Sequence, residues 1–260
     1  MKGLRIFLMA DYKVGWQVAR YLKQRGEHIV GLAVHPPRIE GNLNRGYTKK
    51  IIQELELPKG KIFDADDLKK KTTLDRIKAL KPDIMLVVFW AFMIDEELIR
   101  IPRLGCVNFH AGLLPYNRGA NPNVWPFIDG TPAGISIHYI NTEIDAGPLI
   151  AQQEVSLTSV DTAATLYRKL INAFLPLFKK AWPMIKKGTV ASKAPSAKGT
   201  LHYRKDLKQL DVIDLAKTYT AKDLINRLRA RTFPPHPSSY FIDENGKKIF
   251  IRIQLEYETE

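Results

Sequence analysis

The chain has 260 residues, 45% of them hydrophobic, 26% charged and 10% aromatic, a composition that excludes collagen-like, disordered and membrane-embedded classes. Forty Lys and Arg stand against 27 Asp and Glu, a formal net charge of +13; this favours polyanionic partners, from nucleotides and diphosphates to RNA, without choosing among them. A single cysteine, Cys106, excludes an intrachain disulfide framework and any multi-thiolate metal cluster, and points to a reducing, cytoplasmic setting.

Near the N-terminus the apolar run from Ile6 to Ala10 is too short for the core of a signal peptide or for a membrane span. Residues 4–10 predict a strand, and the pattern through Val18, Ala19 and Leu22 up to Gly26 predicts the helix that follows it. A second strand is expected over 29–34 and an amphipathic stretch over 48–55, ended by Pro58. A helix is expected over 68–80, stopped at Lys81-Pro82-Asp83, and the unbroken apolar run 84–90 predicts a strand buried on both faces. Residues 106–109 predict the next strand, 135–140 and 149–155 a strand pair joined by 141–148, and 162–187 a long closing helix.

This alternation predicts an α/β fold, a Rossmann-like open and mainly parallel sheet, with ligands beyond the carboxyl ends of its strands. Residues 188–199, rich in Lys, Ala, Ser and Pro, read as a loop. The remainder reads as a small C-terminal α+β appendage: a resumption at 201–205, a helix over 221–231, and a hairpin of 239–242 with 247–255 turning at Glu244-Asn245-Gly246. The expected division is therefore 1–187 and 188–260. An isolated hairpin is marginally stable and an uncovered edge seeks a partner, so a homodimer is predicted.

The block Asn108-Phe109-His110-Ala111-Gly112-Leu113-Leu114-Pro115-Tyr116-Asn117-Arg118-Gly119, followed later by Asp145-Ala146-Gly147, carries the chemistry. Side chains alternate along a strand, so Asn108 and His110 share one face while Phe109 takes the other. A neutral imidazole can give or take a proton near neutral pH, and an amide N–H can hold a developing oxyanion. A carboxylate can fix the imidazole tautomer or accept a proton through water. Together they suit acyl transfer to an amine without a covalent enzyme intermediate. An isolated Asn-x-His is more often a satisfied polar strand end, so the flanking residues decide.

Asn108-Phe109-His110, Leu113-Leu114-Pro115, Arg118-Gly119, Gly134-Ile135-Ser136-Ile137-His138 and Asp145-Ala146-Gly147, in order and spacing across residues 1–185, resemble the folate-dependent formyltransferase family. The resemblance implies the formyltransferase fold, 10-formyltetrahydrofolate as formyl donor, and no metal. It implies that Asn108, His110 and Asp145 are catalytic. Asn108 and His110 would stabilise the tetrahedral intermediate, and Asp145 would orient His110 and help remove the amine proton. The Leu113-Leu114-Pro115 loop would shape the entrance. A largely backbone grip on the donor's pterin is implied for Phe89, Trp90, Phe92 and Met93 in one loop and Ile140 and Asn141 in another.

The stretch Tyr116-Asn117-Arg118-Gly119-Ala120-Asn121-Pro122-Asn123-Val124-Trp125, with Tyr203-Arg204-Lys205-Asp206 and residues 227–235, is similar to nucleotide-sugar N-formyltransferases. These act on a 3- or 4-amino sugar carried on a nucleoside diphosphate, often dTDP, for surface polysaccharides. Such a substrate needs cations or backbone N–H groups for its phosphates and a flat apolar surface for its base. Arg118 and Lys13 are candidates for the acceptor pocket, Arg204 and Lys205 for the diphosphate, and Trp125 and Tyr203 for the base. Tyr116, Gly119 and Asn121 join them through the resemblance.

Transfer to charged initiator tRNA is the alternative, although tRNA formyltransferases usually carry a larger C-terminal barrel than the stretch after Gly199 can form. A basic RNA-binding protein on an inactive transferase scaffold is the alternative from another class; nucleic acid is otherwise not an expected partner. Purine-pathway relatives usually have a glycine-rich loop after the first strand, where this chain has Asp11-Tyr12-Lys13-Val14-Gly15. The absence of Gly-x-Gly-x-x-Gly, Walker, His-Glu-x-x-His and Gly-x-Ser-x-Gly motifs counts against nicotinamide, nucleoside triphosphate, zinc protease and serine esterase chemistry. Cys106, inside an apolar strand, reads as an inert buried thiol.

Overall fold

Seven strands form one sheet in the order β3-β2-β1-β4-β5-β7-β8. A computed structural model describes them within residues 3–39, 46–188, 190 and 199–258. The elements run β1 Arg5–Ala10, α1 Tyr12–Gln24, β2 His28–Val34, α2 Tyr47–Leu55, β3 Ile62–Asp64, α3 Lys71–Ala79, β4 Ile84–Val88, α4 Glu96–Ile99 and β5 Cys106–His110. They continue with β6 Arg118–Gly119, α5 Trp125–Asp129, β7 Gly134–Tyr139, β8 Leu149–Glu154, α6 Ala163–Lys187, β9 Leu201–His202, α7 Ala221–Arg231, β10 Tyr240–Ile242 and β11 Lys248–Phe250. The pairings of β1 with β2 and β4, of β2 with β3, and of β4 with β5 are all parallel. The open, mainly parallel α/β sheet and the C-terminal hairpin are as the sequence predicts.

Two compact units divide the chain, and they do not follow its order. The first comprises Met1–His110, Ile137–Ala151 and Phe174–Pro195; the second comprises Ala111–Ser136, Gln152–Ala173 and Ser196–Glu260. In the first, β1 and β4 are buried along their lengths from Ile6 and Ile84 onward, which is why they carry no polar alternation. Helix α1 starts at Asp11, whose carboxylate accepts the Tyr12 N–H, and buries Val14, Gly15, Val18, Ala19 and Leu22. A Cβ on Gly15 would lie 3.1 Å from that of Ala10, so glycine lets the helix lie close on β1. Phe109 points to Phe174 and Phe178 at ring distances of 6.1 and 5.2 Å. The opposite pleat of β5 is thereby left to Asn108 and His110.

Local differences from the sequence expectations have identifiable causes. The helix expected over 68–80 is a 3-10 turn at Ala65–Asp67 and then α3 from Lys71. The strand expected to reach Trp90 stops at Val88, because Phe89 turns into the left-handed region at φ +54°. The hairpin is shorter than expected, Tyr240–Ile242 against Lys248–Phe250. The loop expected over 188–199 lies mostly outside the described residues. The short helices α4 and α5 and the bridge between β6 and β9 were not expected.

In the second unit β9 runs parallel to β6, Arg118 opposite Leu201 and Gly119 opposite His202. Thr200 reinforces the pairing: its Oγ1 accepts from the Asn117 N–H at 2.8 Å and its carbonyl from the Arg118 N–H at 3.0 Å. Glycine is required at two crossings. A Cβ on Gly199 would lie 2.2 Å from the Pro115 carbonyl oxygen, and one on Gly119, at φ +86°, 2.2 Å from that of His202. Ser136 holds the Leu113-Leu114-Pro115 loop, accepting the Leu114 N–H at 3.0 Å and donating to the Gly112 carbonyl at 2.7 Å. Below α7, the buried Asp161 accepts from Lys169 Nζ (2.6 Å), the Thr158 N–H (2.7 Å) and Thr165 Oγ1 (2.8 Å).

Candidate active site

Asn108, His110, His138 and Asp145 converge within the first unit, around the C-terminal end of β5. His110 Nδ1 lies 3.4 Å from Asp145 Oδ2, and Asn108 Nδ2 donates to Asp145 Oδ1 at 3.1 Å. The second Asn108 amide hydrogen is directed at His138 Nε2, also at 3.1 Å. His138 Nδ1 lies 2.8 Å from the Tyr139 carbonyl oxygen, which can only accept, so the proton of a neutral His138 sits on Nδ1 and Nε2 accepts from Asn108. The same contacts fix the Asn108 amide: reversed, its oxygen would face a carboxylate oxygen. His110 and His138 are buried, while the Asp145 side chain keeps 14% of its surface.

Asp145 reaches this position through a tight loop between β7 and β8. It takes φ +46°, a conformation that aspartate tolerates better than most residues. Two residues later Gly147 lets the loop fold onto the preceding strand: a Cβ there would lie 1.7 Å from the Tyr139 carbonyl oxygen. The Tyr139 N–H is bonded to the Pro148 carbonyl at 2.8 Å. The physical content of Asp145-Ala146-Gly147 is thus a left-handed acid followed by the one residue that fits under Tyr139.

Of the two loops assigned to the donor, 89–94 follows the C-terminal end of β4, whereas 140–144 leaves β7 beside the start of β5, where the Ile140 N–H is bonded to the Cys106 carbonyl at 2.8 Å. Phe89 turns its ring to Phe174 at 5.1 Å, so its side chain belongs to the core. Trp90 and Phe92 lean on the His35 ring at 4.4 and 5.3 Å, and Met93 is 68% exposed. Ile140 packs with Trp90 and Ile94 against one core cluster, and Asn141 Oδ1 accepts from the Glu143 N–H at 3.1 Å. The half-buried side chains of Trp90, Phe92 and Ile140 offer apolar contact, and the neighbouring main chain offers hydrogen-bonding groups, the two things a pterin needs. Among the described residues no group of His, Cys, Asp or Glu could hold a metal ion.

The acceptor candidates distribute differently. Lys13 sits in the first turn of α1, in the first unit. Tyr116, Arg118, Gly119 and Asn121 line the loop bridged by β9 in the second unit; Asn121 is left-handed at φ +55°. Trp125 is buried, its indole N–H bonded to the Ala120 carbonyl at 2.7 Å and its ring stacked on His202 at 3.8 Å and 8°. This packed position leaves no open ring face for a base. Tyr203 is exposed and caps the 3-10 helix that carries Arg204 and Lys205, with the Lys205 ammonium 5.7 Å from its ring. Burial pushes the Cys106 thiol up to about 12, as an inert thiol requires.

His138 is the site residue that sequence reasoning did not single out. Its motif was visible, but nothing in the sequence says that its ring reaches the Asn108 amide across two strands.

Residues 9–175 match the family model described as formyl transferase, and the chain belongs to that family. Residues 206–257 match the model described as N-formyltransferase dimerization C-terminal domain. The chain is 39% identical over 153 residues to a protein of Mycobacterium tuberculosis named dTDP-4-amino-4,6-dideoxyglucose formyltransferase. That match covers 59% of this chain and 65% of the mycobacterial protein, less than two thirds of its length. A methionyl-tRNA formyltransferase of Thermodesulfovibrio yellowstonii is 30% identical over 233 residues, covering 88% of this chain and 73% of that protein. Among solved structures, a 4-N formyltransferase from Francisella tularensis superposes with a TM-score of 0.81 at 28% identity, covering 99% of this chain and all of that one. No helix among the described residues is long and apolar enough to cross a membrane.

Proposed function

We propose that the protein is an N-formyltransferase that moves a formyl group from 10-formyltetrahydrofolate to the amine of a nucleotide-linked amino sugar, with a 4-amino dideoxysugar on dTDP as the first acceptor to test. The observation that carries the chemistry is the convergence of His110, Asn108 and Asp145, with Asp145 3.4 Å from one imidazole nitrogen and 3.1 Å from the amide. The acceptor rests on the names of the mycobacterial and Francisella relatives. Residues 1–187 would hold the catalytic region and 188–260 the smaller C-terminal one.

In this reading the uncharged amine adds to the formyl carbon. Asp145 holds His110 by Nδ1, so that Nε2 faces the reacting group and supplies the donor to the oxyanion. Both amide hydrogens of Asn108 are directed at Asp145 and His138, which supports a task of orienting the carboxylate beside that of stabilising the oxyanion. The amine proton passes toward Asp145. Collapse of the tetrahedral centre breaks the bond to the folate nitrogen, which takes up a proton, and leaves the formamide on the sugar. Loops 89–94 and 140–144 would hold the donor, and Tyr116, Arg118, Gly119, Asn121, Tyr203, Arg204, Lys205 and Lys13 are the candidates for the nucleotide sugar.

The match of the tail to a dimerization domain, together with Ile242, Ile249 and Phe250 exposed on the hairpin, supports a homodimer. The single buried thiol and absence of disulfides support the cytoplasm as its location. Transfer to initiator tRNA is the second reading, favoured by the alignment with the tRNA enzyme over 88% of this chain. The test offers 10-formyltetrahydrofolate with dTDP-, UDP- and GDP-linked amino sugars and, separately, charged initiator tRNA, and detects formylated product by mass spectrometry. Product on a sugar is expected; product on tRNA alone would overturn the sugar reading, and no product on either would overturn the transferase itself.

A further inference from the structure

His35 is a buried titratable residue for which the reaction has no use. It follows β2, is 1% exposed, and its Nε2 accepts the Ala91 N–H at 3.0 Å. An imidazole nitrogen that accepts from an amide carries no proton, so the proton of neutral His35 is on Nδ1. That nitrogen lies 3.0 Å from Asp11 Oδ2, in a contact bent away from good hydrogen-bond alignment. Asp11 is equally buried and is itself fixed: it accepts the Tyr12 N–H at 2.7 Å, and Thr48 Oγ1 lies 3.0 Å from each of its oxygens. Tyr12, Trp90 and Phe92 place rings around the imidazole at 5.6, 4.4 and 5.3 Å.

We propose that His35 is a positioning residue for the donor loop: its unprotonated Nε2 fixes the main chain of residues 89–94, and Asp11 fixes the tautomer that leaves Nε2 unprotonated. The role follows from how such a loop has to work. A loop that holds its ligand by backbone groups has its affinity set by where the backbone stands, and a hydrogen bond from Ala91 to a buried, immobile ring fixes that place. Here the acceptor for the Ala91 amide comes from another segment, the residue after β2. It is anchored through Asp11 to the start of α1 and through Thr48 to α2, so the ends of β1 and β2 and the loop after β4 are tied into one chain of contacts. The inference rests on reading 89–94 as the donor loop.

Three variants separate the parts. His35→Phe keeps a ring and removes the acceptor, whereas His35→Gln keeps an acceptor for the Ala91 amide. Asp11→Asn can still accept from Tyr12 and Thr48, but presents an N–H to His35; this favours the tautomer with hydrogen on Nε2 and sets two donors face to face at Ala91. Hydrogen exchange of a peptide covering 89–94 is expected to quicken by about tenfold or more in His35→Phe and Asp11→Asn and to recover in His35→Gln. The KM for 10-formyltetrahydrofolate is expected to rise by about tenfold in the same two variants, with kcat and acceptor KM within about threefold, and the double variant no worse than the weaker single one.

Unchanged exchange in both variants would overturn the clamp, whatever the ligand. Quickened exchange with an unchanged donor KM would overturn its part in donor binding. If the wild-type protein binds no folate at all, the donor reading fails, while the exchange result still decides whether His35 holds the loop.

Discussion

Gly147→Ala tests the geometry of the site without touching a reacting group. The added methyl would stand 1.7 Å from the Tyr139 carbonyl oxygen and 2.7 Å from its carbon, whereas carbon and oxygen in contact need about 3.3 Å. Relief therefore requires a shift of about 1.6 Å in residue 147 or in the Tyr139 peptide. Neither moves alone, since that peptide is bonded through its carbonyl to His138 Nδ1 and through the Ile140 N–H to the Cys106 carbonyl, each at 2.8 Å. Losing one such bond costs about 0.5–1.5 kcal/mol, and overpacking a tight site about 1–3 kcal/mol, so a loss of about 2–4 kcal/mol is expected. Spread over a chain of this length, it lowers Tm by roughly 4–16 °C. The kinetic effect should be larger than the thermal one suggests: Asp145 is two residues upstream, and displacing a positioned group by about 1 Å costs on the order of 100-fold in rate. Differential scanning fluorimetry and steady-state kinetics measure both. A variant with unchanged Tm and kcat within about twofold of wild type would show that the loop does not need its close passage under Tyr139.

Replacing the reacting groups has a different signature. His110→Asn and Asp145→Asn should each lower kcat by about 100-fold or more with binding of both substrates largely retained; near-normal turnover in either would remove the mechanism. His138→Phe should lower kcat by about tenfold with little change in either KM, and a rise in acceptor KM instead would place His138 outside the catalytic group. At Asp161 burial pushes the carboxyl up, but the Lys169 ammonium and the Thr158 and Thr165 donors outweigh it and hold the value at about 2. A depressed acid stabilises the fold above its unfolded value of about 3.9 and loses that contribution as pH falls through 2. Asp161→Asn should therefore cost about 2 kcal/mol at neutral pH, with the gap to wild type closing between about pH 4 and pH 2; a gap independent of pH would contradict the ion-pair origin. Cys106, pushed up to about 12 and directed at the Ile99 carbonyl at 3.6 Å, should resist alkylation in the folded protein at about pH 8. Rapid stoichiometric labelling would show that β5 opens.

Much of this molecule is legible in its residues because its core strands are apolar on both faces and its helices carry clear stripes. The strands expected over 84–90 and 106–109 are found over 84–88 and 106–110, and the alternation along β5 sends Phe109 to the core and its neighbours to the site. What remained hidden are relations between distant segments. Phe89 ends its strand by a left-handed turn that an apolar run does not announce. Trp125 has the composition of a stacking platform, yet the indole is packed on His202, a partner far along the chain. The pairing of β6 with β9 rests on two residues from each, too short for any period to reveal. His35 and Asp11 are individually unremarkable in the sequence, and acquire meaning only where two strand ends meet.

The short ladder between Arg118-Gly119 and Leu201-His202 carries a consequence for redesign. Because Thr200 and His202 supply hydrogen-bond partners to the backbone of Asn117, Arg118 and Ala120, the shape of the 116–121 loop is written in two places in the chain. Grafting that loop from a relative with another preference would import one half of a matched pair, and Gly199 and Gly119 leave no slack to absorb a mismatch. Transplants between members of the family should travel as paired inserts, with the tail segment carried along.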